Sequence, residues 1–318
     1  MVYITKRTIK NKVYYYLEET LSNKKKASLS IGNAIPKENE LLSYYNTIKI
    51  NCLKKNHLIL IPPLTEFVTY NKALKLDKAI KNKINLLKSL TIKNKNEFIK
   101  RERVTFITES NAIEGSTLSY NETNNIIEQA QKLKRLQKKY ILTGIQKEEQ
   151  EAINLNKCLE WYDLFIDKKQ DITEKLILKL HYILLKDIEG YDQYKGIYRP
   201  VDVYVVGSNF VFPKYYNVPE LMKKLVSWYK ENKLLMHSVE LAAKFHTKFT
   251  TIHPFADGNG RIARLLMNYI LQLNNYPFTN IPLRKRKKYM QTQASGNIED
   301  YKPFTYFLIN EIILQNKF

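Results

Sequence analysis

The 318-residue chain is poor in the residues that build small or covalently stapled folds: two cysteines, nine glycines and ten prolines. Cys52 and Cys158 lie far apart, with no Cys-x-x-Cys and no neighbouring His, so neither a disulfide framework nor a zinc site is supported and both read as free thiols. The five histidines (57, 181, 237, 246, 253) form no His-Glu-x-x-His, and no Gly-x-x-x-x-Gly-Lys-Ser/Thr loop occurs, which argues against zinc hydrolases and P-loop enzymes. No window approaches about 18 uncharged apolar residues, and "MVYITKRTIK" lacks the apolar stretch and cleavage site of a signal peptide. The expectation is a soluble, cytoplasmic protein with no membrane partner.

Acidic residues are also scarce, 31 against 52 Lys and Arg, for a net charge of +21. That excess would suit nucleic acid. It accompanies a joint richness in Lys, Asn, Ile and Tyr, the bias of an AT-rich gene, and it is concentrated away from the motif below. Residues 1–100 carry 20 Lys and Arg against 7 Asp and Glu, whereas residues 101–318 carry 32 against 24. Nucleic acid is therefore the less favoured partner.

With 44% apolar residues, the chain can bury a large core. Residues 2–32 read as three short β-rich runs separated by "KNK" and "SNKKK". Helical periods follow, broken at "IPP" (61–63). Leu74, Ile80, Ile84, Leu87 and Leu90 trace one stripe of a connecting helix. Helical patterns then run over 96–114, 121–140, 146–166, 172–187, 218–231, 238–251, 258–274, 284–295 and 301–315. The exception is "YRPVDVYVVGSNFVFPKYY" (198–216), two β-rich runs around "GSN" that predict a hairpin. The expected organisation is a small β-rich appendage over 1–60, a connecting helical segment over 61–100 and a mainly α domain over 101–318.

The chemistry concentrates in "IHPFADGNGRIAR", residues 252–264. Leu241, Phe245 and Phe249 form the stripe of one helix, which breaks at Pro254. After "DGNG" a second run begins with Ile262, Leu265, Leu266, Tyr269, Ile270 and Leu273 on one face. Gly258, Asn259 and Gly260 thus sit at a helix N-terminus, where free N–H groups and the positive end of the dipole form an anion cradle. Arg261 and Arg264, three residues apart, are placed to grip phosphate oxygens together. Asp257 at the mouth suits Mg²⁺ between phosphates, and His253 just upstream is placed to take a proton from an attacking hydroxyl. A base, a metal carboxylate, an anion cradle and two arginines describe transfer of a phosphoryl or nucleotidyl group to a hydroxyl.

The stretch resembles the Fic-family signature His-x-Phe-x-Asp/Glu-Gly-Asn-Gly-Arg-x-x-Arg at every defined position. The resemblance implies a helical enzyme that moves AMP from ATP to a Ser, Thr or Tyr hydroxyl of a target protein, or of itself. His253 would be the base and Phe255 a packing residue. Asp257 would hold Mg²⁺ or Mn²⁺, Gly258 to Gly260 would form the cradle, and Arg261 and Arg264 would hold the phosphates. "YPFTNIPLRKRKKYMQTQASGNIEDYKPF" (276–304) looks like the family segment that closes the nucleotide pocket, with Tyr289 and Asn297 at purine-contacting positions. The hairpin resembles the family's flap, a strand template for the target segment centred here on Val205, Val206 and Gly207. "SNAIEG" (110–115) resembles the family's inhibitory motif, in which Glu114, with Ser110 one turn earlier, would pair with Arg264 and block the γ-phosphate position. The likeness covers roughly residues 100–318; the β appendage carries no obvious family motif, and the sequence ends soon after its last helical pattern, where many bacterial relatives continue into a winged-helix domain. Alternatives are transfer of another nucleotide or of phosphate, or a non-catalytic nucleotide sensor whose basic N-terminal part binds nucleic acid. The target's identity and a homodimer remain open at this stage.

Overall fold

The computed structural model describes residues 2–20, 26–54, 65, 67–135, 146–204 and 210–317. Three strands, β1 (Val2–Ile9), β2 (Lys12–Thr20) and β3 (Lys26–Gly32), form an antiparallel sheet in the order β1-β2-β3. Lys10 and Asn11 link the first two with φ of 47° and 62°, the doubly left-handed turn that matches strand twist. Ile4 faces Leu17, and Leu17 faces Leu29. That inner face is covered by α1 (Glu38–Lys54), through a small core of Leu17, Ile31, Leu41, Tyr45 and Ile48. α1 falls where helical periods are expected after residue 32, and it is needed there because a single small sheet cannot bury its apolar face alone.

α2 (Tyr70–Ser89) packs on α1 and on the last helix, bridging the sheet to the main bundle. Its buried face is Leu76, Ala79 and Lys83, while Leu74 and Ile84 of the expected stripe are 37% and 42% exposed. Lys83 displaces the pattern: its ammonium pairs with Glu102 and lies 4.1 Å from the Phe98 ring, so its aliphatic stem can fill the interface.

The main bundle contains α3 (Ile92–Ile113), α4 (Tyr120–Arg135), α5 (Lys147–Asp167), α6 (Glu174–Leu185), α7 (Val218–Asn232), α8 (Ser238–Ile252), α9 (Asn259–Leu273), α10 (Arg286–Gly296) and α11 (Lys302–Gln315). Side chains start several of them: Thr91 caps α3, Thr173 caps α6, and Gln146 with Glu149 forms a reciprocal box at α5. α9 is buried nearly all round from Asn259 to Leu271, so it is the central helix rather than the one-faced helix its pattern suggested. It packs antiparallel-wise against α8, whose Leu241, Phe245 and Phe249 are fully buried. No helix among the described residues is long and apolar enough to cross a membrane.

The expected hairpin is not a ladder among the described residues: 201–204 and 210–214 are irregular. Side chains gather the two arms instead. Asp202 accepts from the Tyr215 N–H at 2.9 Å and pairs with Lys214 at 2.8 Å, and Arg199 donates to the carbonyls of Val201 and Pro213. Val205, Val206 and Gly207 lie outside the described residues, as does His57.

Candidate active site

α8 ends where His253 adopts a left-handed conformation, φ 52° and ψ 60°, with its N–H donating to the Phe249 carbonyl. The chain then turns through Pro254 to Asp257 and enters α9 at Gly258, whose φ is 78°. A Cβ on Gly258 would lie 2.8 Å from the Leu184 methyl, so both conformation and space call for glycine there.

Asn259 locks this loop. Its side-chain amide donates to the Phe255 carbonyl at 2.8 Å and its oxygen accepts from the Phe255 N–H at 2.9 Å. The side chain is thus turned away from a ligand, and what α9 offers the cleft is its first-turn backbone N–H groups. Phe255, fully buried, stacks on His181 at 3.6 Å with 8° between the rings. His181 Nδ1 accepts from the Gly196 N–H, which puts the proton on Nε2 for donation to the Asp257 carbonyl at 3.1 Å. Arg199 completes the frame, donating from Nε to the His253 carbonyl at 2.8 Å and from its backbone N–H to Pro254. Sequence reasoning missed His181 and Arg199; the only signal available was that a loop this buried must satisfy its carbonyls somewhere.

The two arginines diverge, contrary to the expectation that they act side by side. Arg261, 2% exposed, lies between Glu151 of α5 at 3.0 Å and Asp257 at 3.2 Å, and it is not among the residues lining the cleft. Arg264, 1% exposed, turns towards α3: Nε donates to Ser110 Oγ at 2.9 Å, and Nη2 donates to the Ser110 carbonyl at 2.8 Å and to Glu114 Oε1 at 2.7 Å. Burial disfavours its cation, but Glu114 and Tyr289 outweigh that and hold its pKa above the usual value. Arg264 Nη1 is buried without a hydrogen-bond partner. A Cβ placed on Gly260 would collide with the Glu114 carboxylate, so that carboxylate lies directly over the mouth of the cradle.

These groups share one cleft of ≈ 920 Å³. His253, Asp257, Gly258, Gly260, Arg264 and Glu114 line it together with Tyr289, Met290, Asn297 and Ile298. The Tyr289 oxygen lies 2.9 Å from His246 Nε2 and also interacts with Arg264. Asn297 accepts from Thr251 Oγ1 at 3.1 Å. Arg286, at the rim, donates to the Ile113 carbonyl at 2.8 Å and fastens the end of α3 beside Glu114.

Burial pushes His253 down to about 4 despite the nearby Thr250 carbonyl, so its imidazole is neutral at physiological pH. Burial does the same to His181, at about 4, and to His237 and His246, at about 3. Each folded value lies below the unfolded value of about 6.5, so the unfolded chain binds more protons between them. Stability present above about pH 6.5 is lost as pH falls towards 4, by up to about 1.4 kcal/mol per pH unit for each histidine. The guanidinium midpoint is expected to fall steadily from pH 7 to 5; a flat midpoint would contradict burial of these rings.

Residues 171–271 match the family model described as "Fic/DOC family". The chain is 31% identical over 201 residues to protein adenylyltransferase fic-1 of Caenorhabditis elegans, covering 62% of this chain and 37% of that one. It is 33% identical over 204 residues to protein adenylyltransferase Fic of Drosophila melanogaster, covering 64% and 39%. The match thus spans about two fifths of the length of these curated relatives. Among solved structures, a Fic domain containing signaling protein from Bacteroides thetaiotaomicron superposes with a TM-score of 0.64 at 25% identity, over 76% of this chain and 95% of that one. The Fic-1 fragment of C. elegans gives 0.65 at 23% identity, over 89% and 77%, which speaks to fold alone. With the signature loop closed by Asn259 at the head of a buried central helix, the chain carries a Fic-family domain.

Proposed function

We propose that the protein is an ATP-dependent protein adenylyltransferase that modifies a hydroxyl of a target protein, and of itself, and is restrained by Glu114. The observation that carries this reading is the convergence, in one cleft, of a neutral imidazole, a helix N-terminus and a buried arginine whose natural partner is an anion. In the reaction, a Ser, Thr or Tyr oxygen attacks the α-phosphorus of ATP. The new O–Pα bond forms as the bond from Pα to the bridging oxygen breaks, pyrophosphate leaves, and the hydroxyl proton passes to His253 Nε2. The α9 N-terminus and Arg264 stabilise the phosphate charge.

Asp257 suits Mg²⁺ or Mn²⁺: it is a single half-exposed carboxylate at the cleft mouth, and Mg²⁺ binds through one or two carboxylates plus substrate phosphates. Such an ion would neutralise charge on the phosphates. Arg261 serves by fixing Asp257 against Glu151 rather than by touching ATP. Asn259 shapes the cradle, and Tyr289 and Asn297 form the wall for the base. The 205–207 segment is assigned to guiding the target. Cytoplasmic location, a protein target and a homodimer belong to the same proposal.

Incubation of Glu114→Gly with ATP, GTP, CTP and UTP separately, followed by intact mass measurement, tests it. A mass gain of one AMP with ATP supports adenylylation. A phosphate-sized gain, or a nucleotide other than AMP, replaces it with another transfer. No covalent gain under any nucleotide leaves the non-catalytic sensor.

A further inference from the structure

The N-terminal sheet has a second face that the small core does not use. Register places Tyr3, Thr5, Arg7 and Ile9 of β1 beside Glu18, Tyr16, Tyr14 and Lys12 of β2, with Ser28 and Ser30 of β3 alongside. Alternation turns these residues away from α1, on the side opposite Ile4, Leu17 and Leu29. Nothing among the described residues covers the basic groups here: the side chains of Arg7 and Lys26 are 48% and 60% exposed. Glu18, the acidic residue of this face, is 4% exposed and lies beneath both of them. Lys10 and Lys12, both exposed, mark the tip of the β1–β2 ribbon. Between residues 1 and 32 the sequence holds seven Lys and Arg against two Glu.

We infer that this face is a docking surface for duplex DNA, entered tip first by the β1–β2 ribbon, and that it is separate from the nucleotide cleft. A two-stranded ribbon fits the major groove, about 12 Å wide, and basic groups at its tip then meet phosphates on both walls. The aromatic residues favour duplex over single strands. Arg7 sits 4.3 Å from the Tyr16 ring centre and Lys26 5.2 Å from that of Tyr3, so cations cap the rings on which unpaired bases would stack. Arg7 and Lys26 also pair with the buried Glu18 beneath them, which fixes these two cations on the sheet and leaves Lys10 and Lys12 at the tip as the exposed charges for phosphate. Charge complementarity supplies the rest: the seven Lys and Arg against two Glu of residues 1–32 leave a net +5 on the segment that carries the sheet.

The test is anisotropy of a fluorescein-labelled mixed-sequence duplex of about 20 base pairs, titrated with the full chain across a salt series. Two contacts, from Lys10 and Lys12, predict a slope of log K against log salt of about −2, and a loss of roughly tenfold in affinity between about 50 and 200 mM salt. Lys10→Gln/Lys12→Gln removes two exposed turn charges without touching either core, so it should lower the slope by about two and weaken binding about tenfold or more at low salt. Lys223→Gln/Lys230→Gln, on the exposed side of α7, should leave both unchanged. No binding at about 50 mM salt, or an equal loss from the α7 pair, overturns the surface. Tighter binding to the single strand than to the duplex overturns the assignment of duplex DNA.

Discussion

Glu114→Gly is expected to raise the initial rate of self-labelling by on the order of 10²-fold over the parent. The carboxylate lies 2.7 Å from Arg264 Nη2 and directly over Gly260. On the proposed function, it occupies the region where the terminal phosphate of ATP would rest and neutralises the charge that would hold it there. ATP must either displace the carboxylate or bind with its α-phosphorus misplaced, and a misplacement of about 1 Å costs roughly 10²-fold. The variant removes both obstacles and leaves His253 and the α9 terminus untouched. Glu114 is the C-cap of α3 and about a third exposed, but its loss leaves the buried Arg264 without its carboxylate partner, so a lower thermal midpoint is expected alongside the faster rate. Ser110 still supplies two bonds to Arg264 through its hydroxyl and carbonyl, which keeps the guanidinium in place. Initial rates of label transfer from ATP, with thermal midpoints for both proteins, provide the measurement. Unchanged rates from a folded variant with normal ATP affinity would remove the restraint from the reading while leaving the transferase intact.

The placing of Ser110 and Glu114 together was legible in the sequence because a helical period of four and a terminal Gly115 set both on one face at a helix end, where they meet Arg264. The loop was legible for a similar local reason: Pro254 stops one helix, and Gly258 permits the left-handed entry to the next. Long-range partners were not. Arg261 and Arg264 point apart because Glu151 lies on α5 and Ser110 on α3, and nothing near either arginine encodes those neighbours. Asn259 reads in the sequence as a backbone N–H at the helix head, and its side chain's bonds to both polar groups of Phe255 had no local sign there. His181, a lone histidine on an apolar helix, carried no local sign that it would support Phe255 from beneath. The register of α2 failed for the opposite reason: a lysine was drawn into the interface by Glu102, which no hydrophobic periodicity can express.

His253→Ala, placed in the Glu114→Gly background so that the rate is measurable, is expected to lower labelling by about 10²–10⁴-fold. The imidazole lines the cleft beside Asp257 and Gly258, its Nδ1 lies 3.3 Å from the Thr250 carbonyl, and burial keeps the ring neutral. A proton on Nδ1, donated to that carbonyl, leaves Nε2 with a lone pair for the incoming hydroxyl. On the proposed function the phosphates fall to α9 and Arg264 and not to this ring, so ATP affinity measured by calorimetry should change less than about threefold while the rate collapses. The backbone of residue 253 is left-handed, and alanine tolerates that less well than histidine, so a modest fall in melting temperature is expected. His253→Asn tolerates the same conformation and separates the two effects: it should keep the parent's stability and still lack the base. A base with a pKa near 4 also fixes the pH profile, with the rate holding from pH 8 to 5 and falling as pH drops through about 4. If both variants label as fast as their background, the proton goes elsewhere and His253 serves only to end α8.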